Sequence, residues 1–136
     1  MLVGSTVGRK RRQSPIRVLI ADDHRLFAEA LEAVLATEER IVVVGRAADG
    51  NEAVELARLL SPDVVALDIS MPVKDGFEAA AELERFDRPP AVLMLTGSNA
   101  PEDIDRARRI GVKGYVTKDT IAAQLVDAIL AAATPG

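Results

Sequence analysis

Acidic, hydroxyl and cationic side chains follow four short apolar runs of this chain, each at the point where the run ends. The runs are Ile16–Ala21, Val64–Leu67, Ala91–Leu95 and Gly114–Thr117, and the residues after them are Asp22 with Asp23, Asp68, Thr96 and Lys118. If the runs are parallel strands of one sheet, these side chains share its carboxyl edge, where open α/β sheets bind ligands. Such a set of groups could transfer a phosphoryl group.

The carboxylates in this set predict a metal site. Asp22, Asp23 and Asp68 would repel one another at close range unless a cation lay among them, and oxygen ligands favour a hard ion such as Mg²⁺. With that ion and the Lys118 ammonium neutralising phosphoryl oxygens, the Asp68 carboxylate could attack a donor in line and form an acyl phosphate. Thr96 could then hydrogen-bond the transferred group. Taken alone, Asp23 could equally be a helix cap.

Apolar periodicity predicts five strands that alternate with five helices. Ile16–Ile20 and Ile41–Val44 are β-branched and nearly continuous, as in strands buried on both faces of a sheet. Between them, a crossover helix is predicted from apolar residues at helical spacing: Leu26, Phe27, Ala30, Leu31, Val34 and Leu35. The other helices are expected over Asn51–Leu60, from Asp75 or Gly76 to about Arg85, over Ala100–Ile110, and from a Thr120 cap through Ala132.

This alternation predicts an α/β fold with parallel strands, right-handed crossovers and helices on both faces of the sheet. Five units in this length favour a flavodoxin-like, doubly wound fold with a five-stranded parallel sheet of order 2-1-3-4-5. Its switch point lies between the first and third strands. Those two strands deliver Asp22-Asp23 and Asp68, so the predicted fold and the predicted chemistry agree.

Length and composition indicate one soluble domain. The chain has 136 residues, of which 49% are hydrophobic, which is enough for one core and too little for two ordinary domains. The absence of cysteine excludes disulfides, thiolate nucleophiles and zinc–thiolate sites. No apolar run approaches ~18 residues, so we expect a cytoplasmic protein without membrane contact.

Charge is distributed unevenly along the chain. The net charge is -4, yet a basic cluster, Arg9–Arg12, lies in the first 15 residues and every acidic residue follows Pro15. We therefore expect residues 1–15 to be a disordered basic segment, with a polyanion-binding arm as the alternative. We expect 16–133 to be the folded domain and 134–136 to be a tail or a truncated linker. An acidic folded domain should repel a nucleic-acid backbone, so direct nucleic-acid binding by it is not expected.

Over about Ile16–Ala133, the chain resembles the receiver domain of two-component response regulators. The residues that carry the resemblance occur in the family's order: Asp22-Asp23, Asp68 with Met71-Pro72 and Gly76, Thr96, Tyr115 and Lys118. The resemblance implies that Asp68 accepts phosphate from the phosphohistidine of a sensor histidine kinase. It also implies that Asp22, Asp23, Asp68 and the Ser70 carbonyl hold Mg²⁺, while Lys118 contacts the phosphoryl oxygens.

The same resemblance makes Thr96 and Tyr115 a switch pair that changes a protein-interaction or dimerisation face after phosphorylation. It implies a regulatory domain that catalyses its own phosphotransfer and slow dephosphorylation, not an enzyme with a separate substrate. His24, here expected as a loop or cap residue, and Asp119 are similar to regulators of the NarL/LuxR type, which carry a C-terminal helix-turn-helix domain. The expected output is transcriptional, through a DNA-binding domain trimmed from this chain or through a separate partner.

Other classes fit the residues less well. A flavin- or dinucleotide-binding protein would want a glycine-rich or hydroxyl-rich turn after the first strand, where this chain has Asp22-Asp23-His24-Arg25. A phosphatase of the haloacid dehalogenase type would place a D-x-D nucleophile there, and adjacent Asp22-Asp23 is not that pattern. A degenerate receiver that acts as a phosphorylation-independent docking scaffold stays open as the alternative.

Overall fold

Five strands and five helices alternate along the residues that the computed structural model describes, 14–97 and 100–134. The strands are β1 (Ile16–Ala21), β2 (Ile41–Ala47), β3 (Val64–Asp68), β4 (Ala91–Thr96) and β5 (Gly114–Thr117). The helices are α1 (Arg25–Ala36), α2 (Gly50–Leu60), α3 (Gly76–Leu83), α4 (Pro101–Ile110) and α5 (Ile121–Ala133). The predicted basic cluster Arg9–Arg12 and the last two residues, 135–136, lie outside the described residues.

All strand pairs are parallel, and the sheet order is β2-β1-β3-β4-β5. The predicted flavodoxin-like fold is therefore confirmed. Alternate residues of β1 lie on opposite faces: Leu19 packs in one apolar cluster with side chains of α2, α3 and α4, and Val18 packs in a second with those of α1 and α5. Burial on both faces explains why the central strands are almost continuously apolar.

Two details of the predicted elements were wrong. β2 continues to Ala47 because its pairing with β1 shifts register between Val18 and Leu19, which lets the strand pass through Gly45. On α1, the buried residues are Ala28, Leu31 and Leu35, whereas Leu26 is 80% exposed. A helix turns about 100° per residue, so a face centred on Ala28 turns a residue two positions earlier away from the core.

Helix ends mostly follow the expected residues. The Asp49 side chain accepts a hydrogen bond from the Glu52 N–H at the start of α2, and Asp75 forms a capping box with Glu78 at the start of α3. Gly111 ends α4 in the left-handed region, with φ +105°.

Two predictions about helix ends were wrong. α3 ends at Leu83, two residues before the expected Arg85, because the following turn is closed by hydrogen bonds from the Arg85 and Phe86 N–H groups to Glu82 and Leu83. Thr120 precedes α5 but makes no capping hydrogen bond. Its hydroxyl instead donates to the Gln124 side chain at 3.1 Å, within the first turn of the helix.

The loop from β3 to α3 is held close to the end of β3. A Cβ added at Gly76 would lie 2.3 Å from the Asp68 carbonyl oxygen, so no other residue fits there without a shift. Val73 has φ +69°, and the Lys74 N–H donates to the Pro72 carbonyl at 2.7 Å, which closes a tight turn around it. The Lys74 ammonium also pairs with Glu82 of α3. These contacts fix the backbone that follows Asp68.

Among the described residues, no helix combines the length and apolar character that a membrane span requires.

Candidate functional site at the carboxyl edge of the sheet

Four neighbouring strands deliver the predicted residues to one edge. Asp22 follows β1, Asp68 ends β3, Thr96 ends β4, and Lys118 follows β5. Backbone hydrogen bonds continue the sheet at this level: Asp22 N–H donates to the Ala47 carbonyl at 3.0 Å, and Lys118 N–H donates to the Thr96 carbonyl at 2.7 Å. The sheet register therefore sets the relative height of these side chains.

Asp22 and Asp68 are buried, with 4% and 3% of their surface exposed. Within the described part of the chain, Asp22 Oδ2 and Asp68 Oδ2 have no hydrogen-bond partner. A buried polar atom that lacks a partner costs on the order of 1–3 kcal/mol, more for a charged group. Two such atoms at one edge indicate that the site is built to bind something with positive charge or hydrogen-bond donors.

Lys118 lies between these two carboxylates. Its Nζ is 3.1 Å from Asp22 Oδ2 and 3.4 Å from Asp68 Oδ1, and 21% of its side chain is exposed. The contact with Asp22 Oδ2 is an ion pair without hydrogen-bond geometry, so it offsets charge but leaves that oxygen unsatisfied. One ammonium therefore compensates only part of the acidic cluster.

The acidic cluster has the composition and spacing of a metal site. Ligand atoms of Asp22, Asp23, His24 and Asp68 all lie within 4.8 Å of one another. The carboxylate oxygens, two of them buried and without a hydrogen-bond partner among the described residues, fit Mg²⁺, which prefers oxygen ligands.

His24 was expected as a loop or cap residue, and it is the residue that precedes α1. The His24 backbone N–H donates to Asp22 Oδ1 at 2.8 Å, and the ring Nδ1 lies 3.4 Å from Asp23 Oδ1. The ring is 68% exposed at the rim of the cluster, a position the sequence pattern did not single out.

Asp68, the candidate nucleophile, has a raised pKa, and burial is the largest cause. The neighbouring Asp22 carboxylate raises the pKa of Asp68 further. The Lys118 ammonium and a backbone hydrogen bond from Ser70 lower the pKa of Asp68. The net direction is upward because the first two effects exceed the others. A carboxylate in such a site is poorly solvated and gains stability from any added cation.

Thr96 and Tyr115 are neighbours, as the family resemblance implied. Burial raises the pKa of Tyr115, while a side-chain hydrogen bond with Thr96 lowers it. Thr96 is 5% exposed and Tyr115 is half-buried on the adjacent strand β5. Any ligand that attracts the Thr96 hydroxyl would therefore compete directly with Tyr115.

Most of the predicted residues come together at this edge. Asp22, Asp23, Asp68 and Lys118 form one charged cluster. Ser70 is exposed and contacts Asp68 through its backbone, and its carbonyl as a metal ligand stays a prediction. Sequence reasoning assigned Phe27 only to the apolar side of α1, yet its ring centroid lies 4.4 Å from Lys118 Nζ.

The fold and this site define a receiver domain. The family model for the response regulator receiver domain matches residues 18–130, and the chain belongs to this family. It is 36% identical over 115 residues to the transcriptional regulatory protein NarL of Mycobacterium tuberculosis, covering 85% of this chain and 53% of that protein. The chain thus spans about half the length of the curated relatives it matches.

Solved structures agree with this assignment. The signal receiver domain of the response regulator NarL from Mycobacterium tuberculosis has a TM-score of 0.84 and 35% identity, covering 88% of this chain and 97% of that one. A CheX–CheY–BeF₃–Mg²⁺ complex from Borrelia burgdorferi has a TM-score of 0.81 and 26% identity, covering 90% of this chain and 92% of that one. The chain therefore belongs to the response regulator receiver family of two-component signalling, and the curated relatives that it resembles are named as transcriptional regulatory proteins.

Proposed function

We propose that this chain is a Mg²⁺-dependent phosphoacceptor, and that Asp68 takes a phosphoryl group from the phosphohistidine of a sensor histidine kinase. The observation that carries the proposal is the buried Asp68 carboxylate. One of its oxygens has no partner among the described residues, and the other lies 3.4 Å from the Lys118 ammonium. That arrangement leaves one carboxylate oxygen without a hydrogen bond that would occupy its lone pairs, while a cation stands beside the other oxygen.

The proposed step exchanges one bond to phosphorus for another. An oxygen of Asp68 attacks phosphorus and forms an O–P bond, the P–N bond of the phosphohistidine breaks, and its electron pair returns to the imidazole nitrogen. The product on this chain is an acyl phosphate. Lys118 is close enough to both carboxylates to shift toward the phosphoryl oxygens and offset the charge that they bring.

Asp22, Asp23 and Asp68 would hold the metal ion, with the Ser70 carbonyl as a further ligand. When bound, Mg²⁺ would supply positive charge that lets a phosphoryl group approach three carboxylates. The buried Asp22 Oδ2, which has no hydrogen-bond partner among the described residues, and the close spacing of the carboxylate oxygens support this assignment. The BeF₃ and Mg²⁺ in the similar CheX–CheY complex also support it.

The signal would leave the site through Thr96 and Tyr115. A phosphoryl group on Asp68 would attract the Thr96 hydroxyl and compete with its hydrogen bond to Tyr115, so that the Tyr115 ring changes position. The surface formed by α4, β5 and α5 would then change its affinity for a partner or for a second copy of the chain. The transcriptional role in the names of the relatives suggests that this face controls a DNA-binding output.

A small donor with a P–N bond tests the chemistry without a cognate kinase. We would incubate the protein with ³²P-labelled phosphoramidate, with and without Mg²⁺, and compare wild type with Asp68→Asn. We expect Mg²⁺-dependent labelling that Asp68→Asn abolishes, since an amide cannot form the acyl phosphate. Asp63→Asn, at the other end of β3, is the matched control and should label normally. Equal labelling of Asp68→Asn and wild type would contradict the proposal.

Two further variants separate chemistry from signalling. Lys118→Ala should still accept phosphate, although more slowly than wild type, and it should lose the coupling between phosphorylation and the change at Tyr115. Thr96→Ala should weaken that coupling. The readout is the NMR signal of the Tyr115 ring, the only tyrosine in the chain, before and after addition of BeF₃. A wild-type shift in Lys118→Ala would remove this role from Lys118.

A further inference from the structure

The Lys118 ammonium is held from three directions. Asp22 and Asp68 contact it with carboxylate oxygens at 3.1 and 3.4 Å, and the Phe27 ring faces it with its centroid 4.4 Å from Nζ. Phe27 belongs to α1, the helix that begins just after Asp22 and Asp23. The segment that supplies two carboxylates to the site therefore also places an aromatic face against the cation.

We propose that Phe27 is a positioning residue for Lys118, an inference that rests on the proposed phosphoacceptor function. The face of an aromatic ring carries negative potential and attracts an ammonium within about 6 Å of its centroid. The contact uses the ring face and occupies at most one of the three N–H donors of Lys118, so at least two stay available for carboxylate and phosphoryl oxygens. The ring also removes water from one side of the ammonium, which strengthens its attraction for an incoming anion.

Packing alone is the competing explanation for Phe27. The residue is half-buried and packs against the apolar cluster that includes Leu31 and Leu35 of the same helix. If packing were its whole role, an aliphatic side chain of similar size would replace it without effect on the chemistry at Asp68. A positioning role instead requires the π-electrons of the ring. The two explanations can thus be separated by changing the ring's electrons at nearly constant shape.

The chain offers a matched control for such an experiment. Among the described residues, Arg58 lies over the Phe86 ring with 4.8 Å between the guanidinium carbon and the centroid. Phe86 is also half-buried, but it follows α3 at the opposite edge of the sheet. Changes at Phe86 should therefore report the general effect of disturbing a cation–ring pair, without any effect on phosphorylation.

The decisive experiment replaces Phe27 with mono-, di- and trifluorinated phenylalanine, which progressively removes negative potential from the ring face. The initial rate of Mg²⁺-dependent phosphorylation by acetyl phosphate is measured for each protein. We expect a stepwise fall that reaches roughly three- to tenfold, as for loss of one cation–ring contact. Phe27→Leu should fall by a similar factor, and Phe27→Tyr should keep the wild-type rate. The same fluorinated residues at position 86 should leave the rate unchanged.

An initial phosphorylation rate that does not change with fluorination at position 27, together with a wild-type rate in Phe27→Leu, would overturn the inference. An equal fall at positions 27 and 86 would overturn it too, since the effect would then be general. If the wild type takes up no phosphate from acetyl phosphate or phosphoramidate, the proposed function fails instead.

A spectroscopic readout tests the contact itself without phosphorylation. Protons next to an aromatic face resonate upfield, so the Lys118 ε-methylene protons should show a ring-current shift in wild type that Phe27→Leu loses and Phe27→Tyr keeps. Absence of that shift in wild type would overturn the inference whatever the rates are.

Discussion

The two edges of the sheet carry similar charged residues, but the hydrogen-bonding groups of these residues are partnered differently at each edge. At the amino edge, Asp63 accepts a hydrogen bond from the Arg17 backbone N–H at 2.8 Å, and the Arg17 guanidinium donates to the Leu60 and Ser61 carbonyls at 2.7 Å each. At the carboxyl edge, Asp22 and Asp68 each keep a buried oxygen without a hydrogen-bond partner among the described residues. Asp63 and Arg17 at the amino edge are engaged in hydrogen bonds that serve the fold, while Asp22 and Asp68 at the carboxyl edge keep binding capacity for a ligand.

Cavity size points to the opposite edge from the proposed site. A cleft of about 1010 Å³ lies at the amino edge, lined by charged side chains of both signs that include Arg58, Glu82 and Asp87. The proposed phosphoacceptor residues do not line this cleft. The proposal therefore rests on buried oxygens that lack hydrogen-bond partners among the described residues and not on the volume of a concavity.

The largest expected effect is on metal affinity. Asp22→Asn removes a charge from the acidic cluster and should weaken Mg²⁺ binding roughly ten- to a hundredfold, because the charge and number of oxygen ligands set affinity for such ions. Asp63→Asn at the amino edge should bind Mg²⁺ as wild type does. Isothermal titration calorimetry on the three proteins measures this. Equal weakening by both variants would erase the distinction between the edges.

A change at Arg17, at the amino edge, should lower stability without affecting phosphorylation. Arg17→Met keeps an apolar stem but removes the donors to Leu60 and Ser61, and it should lower the free energy of unfolding by about 2 kcal/mol. Phosphorylation by acetyl phosphate should stay at the wild-type rate. Urea denaturation measures the first quantity and intact mass the second. A variant as stable as wild type but impaired in phosphorylation would show that the amino edge is part of the site.

Asp68 should destabilise the metal-free fold at neutral pH. The pKa of Asp68 in the folded protein is raised above the ordinary 3.8. Protonated Asp68 therefore contributes to the free energy of unfolding in full below pH 3.8, and this contribution is lost as pH rises through the raised pKa. Asp68→Asn, without a charge to bury, should therefore melt at a higher temperature than wild type at pH 7 without Mg²⁺. The difference should shrink as pH falls through the raised pKa, and Mg²⁺ should stabilise wild type more than the variant. A lower melting temperature for the metal-free variant at pH 7 would contradict this.

The smallest effect concerns the loop that follows Asp68. Val73 is 76% exposed and has φ +69°, a conformation that is strained for a β-branched residue. Val73→Gly should relieve about 1–2 kcal/mol of backbone strain, and the greater entropy of glycine in the unfolded chain should offset part of this. The free energy of unfolding should rise by about 0.5–1 kcal/mol. Gly111→Val, which imposes the same strain at φ +105°, should move stability the other way. Thermal unfolding of both variants checks the pair.

Much of this could be predicted because the strands end at chemically distinctive residues. Continuous burial makes β1, β3 and β4 recognisable in the sequence, and Asp22, Asp68 and Thr96 lie where those strands end. Lys118 lies where β5 ends. Details set by tertiary contacts could not be read in the same way. The continuation of β2 through Gly45 depends on a register shift against β1.

Phe27 shows the same limit at the site. A phenylalanine at helical spacing looks like a core residue, and only the tertiary fold, which packs α1 and α5 on the same face of the sheet, brings its ring to Lys118. Likewise, the positive φ of Val73 comes from the turn that connects β3 to α3, and nothing in the residue type signals it.

The most direct test of the account is intact-mass spectrometry after incubation with acetyl phosphate, with and without Mg²⁺, on wild type, Asp68→Asn and Asp63→Asn. The account predicts a single phosphoryl adduct on wild type and on Asp63→Asn that requires Mg²⁺, and none on Asp68→Asn. An adduct that persists in Asp68→Asn, or that forms equally well without the metal, would contradict the claim that the unsatisfied carboxyl edge is the phosphoacceptor site.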